Sequence, residues 1–278
     1  MPSLKELKLR INSVKSTKKI TKVMKMVAAA KLKKAQKRSS DAQPYASAIK
    51  ELLQKVKSSV PSHDLPALLE NTENKIHLLF VVASDKGLCG GYNTAIIKLV
   101  KEYIINLDDE CQVKIVCIGS KAQALLKRNH GESIIHVVEK IQVTYDDVSV
   151  LMNKVIANEH FDVAKIFYTK FVSSISQVPT IEQIAPFDSD DNESYECECE
   201  PDQMTILSSL IIDNLSAQLY RAIADSQASE YMLRMLAMDS ATRNADDMIR
   251  RLTLYYNRSR QAAITKELIE IISGAEAL

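Results

Sequence analysis

Residues 202–226, DQMTILSSLIIDNLSAQLYRAIADS, open a stretch that runs to residue 273 without a Gly or a Pro. A chain that needs no turn residues over such a length predicts helix, because Gly and Pro are the residues that end one. Ile206, Leu210, Ile211, Leu215 and Leu219 begin an apolar stripe at helical spacing. Leu252, Tyr255, Ile264, Leu268 and Ile271 continue it, and Gly274 stands where a C-cap glycine would close it. A helix of about 70 residues is about 105 Å long, whereas a small domain is about 30 Å across. One globule cannot cover it, so its stripe must be buried by another long helix, another chain, or both. A break near residues 220–245, where Ala, Ser and Asp are dense, stays open and would give a three-helix bundle instead.

The mate lies at the other end of the chain. Residues 3–58 contain no Gly and one Pro, Pro44, which is expected to bend or interrupt a helix. Ser3 followed by Glu6 reads as a capping box. Leu4, Leu7, Ile11 and Val14 follow helical spacing, and after a shift Ile20, Val23, Val27 and Ala30 resume it. Between the two helical ends the pattern changes. Lys75–Ser84 (KIHLLFVVAS) and Gln112–Ile118 (QVKIVCI) read as buried strands, with weaker ones at Ile134–Val138 and Val163–Thr169. Helical stretches at Thr94–Ile105, Lys121–Arg128 and Asp146–Glu159 separate them, so the middle reads as a βαβ domain with a parallel sheet. The predicted fold class is α/β: a long antiparallel coiled coil of N- and C-terminal helices with an inserted Rossmann-like α/β domain. The divisions are 1–58, 75–187 and 202–278, with residues 60–74 as a linker in and the acidic stretch 188–202 leading out.

The formal charge of +1 over 278 residues conceals an asymmetry. Residues 1–38 carry thirteen Lys or Arg against one acid, Glu6, and residues 186–202 carry eight Asp or Glu and no base. Such a split points to partners. The five cysteines are odd in number and share no repeated spacing, which argues against a disulfide framework and for a reducing compartment. Cys197-Glu-Cys199 lacks a second Cys or His pair and makes a poor tetrahedral metal site. No apolar run reaches the roughly 18 residues that span a bilayer, so no direct membrane span is expected.

Gly87, Gly90 and Gly91 follow a strand and precede a helix, the position from which dinucleotide folds bind phosphate. Their spacing is neither G-x-G-x-x-G nor a P-loop, and the second strand ends VCIGS with no acid for a ribose. A tight turn is the better reading. His63, His77, His130, His136 and His160 are scattered and near no nucleophile motif, so no catalytic residue, cofactor or metal is assigned. The lysine-rich first helix could meet nucleic acid, but aromatics are missing until Tyr45, which leaves a solvated face or contact with acidic loops of a partner as the alternatives. Met24, Met26, Met232, Met235 and Met238 read first as helix packing.

Four motifs carry a resemblance. ITKVMKMVAAAK (20–31), SDKGLCGGYN (84–93), SEYMLRMLAMDSATRNA (229–245) and YNRSRQAAITKE (256–267) with the tail ISGA follow one another in the order found in γ subunits of F-type ATP synthases, which the chain resembles over nearly its whole length. The resemblance implies a central-stalk rotor that couples ion-driven rotation of a membrane c-ring to ATP chemistry on other chains. It implies a coiled coil inside a ring of three α and three β subunits, and an α/β foot that meets the c-ring and the ε subunit (δ in mitochondrial naming). It implies shaft contacts with the αβ ring at Met24, Arg243, Arg260, Gln261, Thr265 and Glu267, and foot contacts at Glu200 and Asp202. The inserted cysteine pair of chloroplast members is missing from this sequence, so that redox control is not expected. The expected location is peripheral to a membrane, on the cytoplasmic face of a bacterial inner membrane or the matrix side of the mitochondrial one. Two other classes remain as alternatives: a nucleotide-dependent enzyme on the βαβ segment, and a basic helical scaffold for nucleic acid.

Overall fold

The computed structural model describes residues 3–59, 75–108, 110–187 and 202–276. His63, Cys197, Cys199 and Glu200 lie outside the described residues, as does most of the acidic stretch. The elements run α1 (Leu4–Ser59), β1 (Ile76–Val82), α2 (Tyr92–Ile105), β2 (Gln112–Ile118), α3 (Ser120–His130), β3 (Ile134–Val138), α4 (Tyr145–Asn158), β4 (Val163–Phe171), β5 (Gln177–Ala185) and α5 (Gln203–Glu276). They divide into two units, Ala30–Leu233 and the pair Met1–Ala29 with Arg234–Leu278.

The larger unit is built on a five-stranded sheet of order β3-β2-β1-β4-β5. β1 to β4 are parallel, as expected; β5 is antiparallel to β4 and was not foreseen. Leu78 to Val82 are buried without interruption because both faces of the sheet are covered. On one face Leu79, Val81, Ile115, Cys117 and Phe167 pack against Tyr92, Ile96 and Val100 of α2 and Leu126 of α3. Cys117 is an inert part of this layer, since burial pushes its thiol up to about 12. On the other face Leu78, Phe80, Val116 and Ile166 pack against Leu151 and Met152 of α4, Leu53 and Val56 of α1, and Leu207, Leu215 and Leu219 of α5. The helical ends therefore form part of the core over this unit. The conformation of Gly119 is forced: at φ 95° its Cβ would lie 2.1 Å from the Ala83 carbonyl oxygen.

Both long helices are continuous. Pro44 does not interrupt α1. It lies on the exposed face, where the carbonyl it leaves unpaired can meet water, while Ala42 and Ala46 on either side are buried. The possible break in 220–245 does not occur, and α5 also runs past Gly274 to Glu276. Within the larger unit the two helices are antiparallel: Ser39 on α1 donates to Asp225 on α5, and Gln218 Nε2 donates to the Ala46 carbonyl at 3.0 Å. In the smaller unit Lys18 pairs with Asp246 and Lys25 with Asp239, the same direction.

Candidate interaction surface

The smaller unit is a helix pair, and its seam is read from burial. On α1 the seam runs through protected positions 7, 11, 14, 18, 21, 25 and 28, with 4 and 24 partly covered beside it; on α5 it runs through 235, 238, 242, 245, 249, 252, 256, 259 and 263, with 234, 237, 239, 241 and 246 partly covered beside it. Both sets alternate steps of three and four, the heptad repeat of a coiled coil. Leu7, Ile11 and Val14 supply apolar seam positions, but Lys18, Thr21 and Lys25 follow them. Lys18 pairs with Asp246, Thr21 Oγ1 lies 2.8 Å from Thr242 Oγ1, and Lys25 pairs with Asp239. Asp239 also accepts from Arg243 at 2.7 Å. The Lys25 bond, with the charge of Arg243 behind it, holds the Asp239 carboxyl below its ordinary value. Charge and hydroxyl pairing set the register here.

The first expected group on α1 meets the seam at Leu7, Ile11 and Val14, but the second group faces elsewhere. Ile20, Val23 and Val27 are about half exposed or more, and so is Met26. On α5 only Leu252 of the second expected group lies in the seam. Tyr255, Ile264, Leu268 and Ile271 are exposed, with Leu254, Ile269 and Ile272 beside them. The difference has a plain cause. Ile20, Val23 and Val27 keep the three–four spacing of the seam but stand one or two positions before Thr21, Lys25 and Ala28, so the same helix carries two faces. From 264 to 273 every residue is exposed. Contiguous exposed apolar surface of this kind marks an interaction site.

Met24, half-buried, precedes Lys25 on α1, and Arg243 bridges to Asp239, the partner of Lys25. Arg243 already forms an i,i+4 bridge along its own helix. Arg260, Gln261, Thr265 and Glu267 are exposed on the last turns of α5, apart from that pair; the Thr265 hydroxyl donates to the Gln261 carbonyl at 3.0 Å. Met232 and Met238 are buried and pack as ordinary core, while Met26 is exposed. Asp202 caps α5, accepting from the Thr205 amide at 2.9 Å and the Thr205 hydroxyl at 2.8 Å. Those bonds to Thr205 lower its carboxyl below the ordinary value. This capping role was not foreseen. In the glycine loop, Asn93 Oδ1 accepts from the Ser84 amide, the Ser84 hydroxyl donates to the Lys86 carbonyl, and Asp85 Oδ1 accepts from the Ile141 amide. Its polar side chains hold the loop itself. Among the described residues no group of three or more His, Cys, Asp or Glu side chains gathers as a metal site, and no helix is long and apolar enough to cross a membrane.

A profile of the ATP synthase family matches residues 3–278. The ATP synthase gamma chain of Pelagibacter ubique is 46% identical over 291 residues, covering all of both chains. The chain belongs to the ATP synthase γ-chain family. Another member, from Paracoccus denitrificans, is 46% identical over 290 residues, again with both chains covered in full. Among solved structures, a chain of the Tetrahymena thermophila mitochondrial ATP synthase central stalk and c-ring is 26% identical, with a TM-score of 0.65 over 80% of this chain and 99% of that one. A chain of the Euglena gracilis mitochondrial enzyme is 16% identical and shares the fold, with a TM-score of 0.74 over 99% of this chain and 94% of that one. The γ-chain architecture of two long helices and a mixed α/β domain is thus the architecture of this chain.

The exposed apolar faces were missed as sites although the sequence carried a signal for them: it holds more apolar positions than one heptad seam can use. The buried polar run on α5, with Arg221 and Asp225, was missed as well. Its only sign was polar residues inside an unbroken helix otherwise rich in Ala and Ser.

Proposed function

We propose that the chain is the central-stalk rotor of an F-type ATP synthase, a subunit that performs no chemistry itself. In this reading it couples rotation of a membrane c-ring to ATP synthesis or hydrolysis on β subunits. The observation that carries it is the last stretch of α5, where Ile264, Leu268, Ile269, Ile271 and Ile272 stand exposed along one run of helix. An apolar helix end of that kind needs an apolar sleeve, and a ring of three α and three β subunits supplies one. Arg260, Gln261, Thr265 and Glu267 add polar contacts to the sleeve, with Arg260 able to pair a carboxylate in two bonds. The lysines on the outer faces of α1 meet acidic loops of the same ring. Met24 and Arg243 join those contacts beside the Lys25–Asp239 pair.

The mechanism is conformational coupling. α1 and α5 differ in sequence, so the pair presents a different face to each β subunit in turn. A shaft shifts an equilibrium only by contacting its states unequally, and unequal faces supply that difference. The foot is the sheet-bearing unit, with c-ring and ε contacts near Glu200 and Asp202. The complex sits peripherally on the cytoplasmic face of a bacterial inner membrane. The test is reconstitution: the chain is mixed with α and β subunits of the same source, the complex isolated, and ATP hydrolysis assayed. Co-purification with sustained turnover is the expected result. A chain that never joins the ring and leaves hydrolysis unchanged would refute the reading.

A further inference from the structure

Between Gln218 and Glu230, α5 is buried on nearly every side, yet it carries Gln218, Arg221, Asp225, Ser226, Gln227 and Ser229 there. These side chains point at different neighbours. Arg221, 5% exposed, donates through Nη2 to Glu182 Oε1 on β5, through Nη1 to the Tyr168 hydroxyl on β4 at 3.5 Å, and through Nε to Gln218 Oε1 at 3.2 Å. The Tyr168 hydroxyl donates to the second oxygen of Glu182 at 2.8 Å. Gln218 in turn donates to the Ala46 carbonyl of α1. One connected set of bonds therefore joins α1, α5, β4 and β5. A turn further on, the Ser226 hydroxyl lies 2.6 Å from Tyr92 Oη on α2 and accepts from the Thr169 amide at 3.4 Å, while Ser229 donates to the Thr169 carbonyl at 3.0 Å. Burial works against the charged form of Arg221, but the Glu182 carboxylate and the Tyr168 oxygen beside it more than offset this.

Stability alone does not call for this arrangement. A buried ion pair is often no better than apolar residues of the same volume, and its attested use is to select one register among several. Apolar contacts are non-directional and tolerate a small slide or twist. A polar set in a low-dielectric interior does not, because a displaced partner leaves a buried charge unmet. In a rotor the sheet domain and the helix pair must turn together. We propose that the Arg221–Glu182–Tyr168 cluster is the torque-bearing joint of this chain, with Arg221 the positioning residue that fixes the rotational register of α5 against β4 and β5. This rests on the rotor reading.

The test uses the assembled enzyme in inverted membrane vesicles, with ATP hydrolysis and ATP-driven ion pumping measured on the same preparation. Replacing Arg221→Met together with Glu182→Met keeps the volume and removes the directional bonds. The expected result is hydrolysis within about twofold of wild type, pumping per ATP lowered by about threefold or more, and an isolated chain that melts as wild type does. Arg221→Lys, which keeps the charge but loses the fork, is expected to lie between the two. Glu182→Gln, nearly isosteric, is the milder variant and is expected to lower the same ratio less. A pumping-to-hydrolysis ratio equal to wild type in any of these chains that retains its melting temperature overturns the joint. So does a fall in hydrolysis and melting temperature with the ratio unchanged, which would make the cluster structural only. A wild-type chain that fails to join the complex or to pump at all would instead remove the rotor reading.

Discussion

Residues 207–233 and residues 248–272 belong to one helix, α5, and meet opposite surroundings. In the first stretch Leu207, Leu215, Leu219 and Ala222 disappear under the sheet and α1, and even Arg221 and Asp225 are buried. In the second, Met248, Leu254, Ile264, Leu268 and Ile271 stand exposed, and protection is confined to one heptad seam that stops at 263. Neither stretch contains a helix breaker, and both are rich in apolar residues. The difference is therefore in what the rest of the chain offers: the first stretch is completed by its own sheet, the second by something else. Residues that stabilise this protein and residues that make it useful are separable along a single helix.

Substitution in the two regions should separate accordingly. Phe167→Ala, in the layer between the sheet and α2, is expected to cost about 3–5 kcal/mol in urea unfolding of the isolated chain. The comparison breaks if that loss is small, since the sheet would then not be the core that holds α5. Two carboxylates of α5, Asp225 in the covered stretch and Asp239 in the helix pair that leads to the exposed one, carry opposite pH signatures. Asp225 faces Ser39 and Arg221, with Lys170 and Glu182 near, and burial raises its folded value above 3.8. Its contribution is full below 3.8 and is lost as pH rises through the raised value. Asp225→Asn is expected to raise the urea midpoint at pH 7, and the gain should vanish in acid. Asp239, in the open seam, is lowered by Lys25 and Arg243, so its contribution is present above 3.8 and lost as pH falls through the lowered value. Asp239→Asn is expected to lower the midpoint slightly at pH 7, less so as pH falls. Two carboxylates with the same sign would contradict the contrast. Smallest of all, Leu254→Ser is expected to change the stability of the isolated chain by no more than about 0.5 kcal/mol.

Most of the fold was legible because its signals were local. QVKIVCI at Gln112–Ile118 and the five residues Ile134–Val138 form strands with the limits their composition predicts. The absence of Gly from 3–58, and of both Gly and Pro from 202–273, foretold α1 and α5 to within a few residues. β5 escaped because an antiparallel edge strand is half exposed and mixed in composition, and Pro179, tolerated at an edge, argued against a strand. Pro44 misled in the other direction, since packing on both sides of it outweighs one lost hydrogen bond. The seam itself was read one face off over part of each helix. Apolar spacing cannot say which of two faces meets the partner helix, and at Lys18, Thr21 and Lys25 the partner is met by polar side chains. Capping by Asp202 and the Arg221–Glu182 joint depend on residues far apart in sequence or on bond geometry, which spacing does not carry.

Truncation after Ala263, measured twice, tests the central claim that the end of α5 serves partners and not the chain's own fold. The truncated chain, compared with the full-length one, would be unfolded in urea alone and then assayed for ATP hydrolysis in complex with α and β subunits. An unchanged urea midpoint together with weakened assembly and turnover is the expected result. A destabilised chain whose complexes hydrolyse ATP as well as wild type would contradict it.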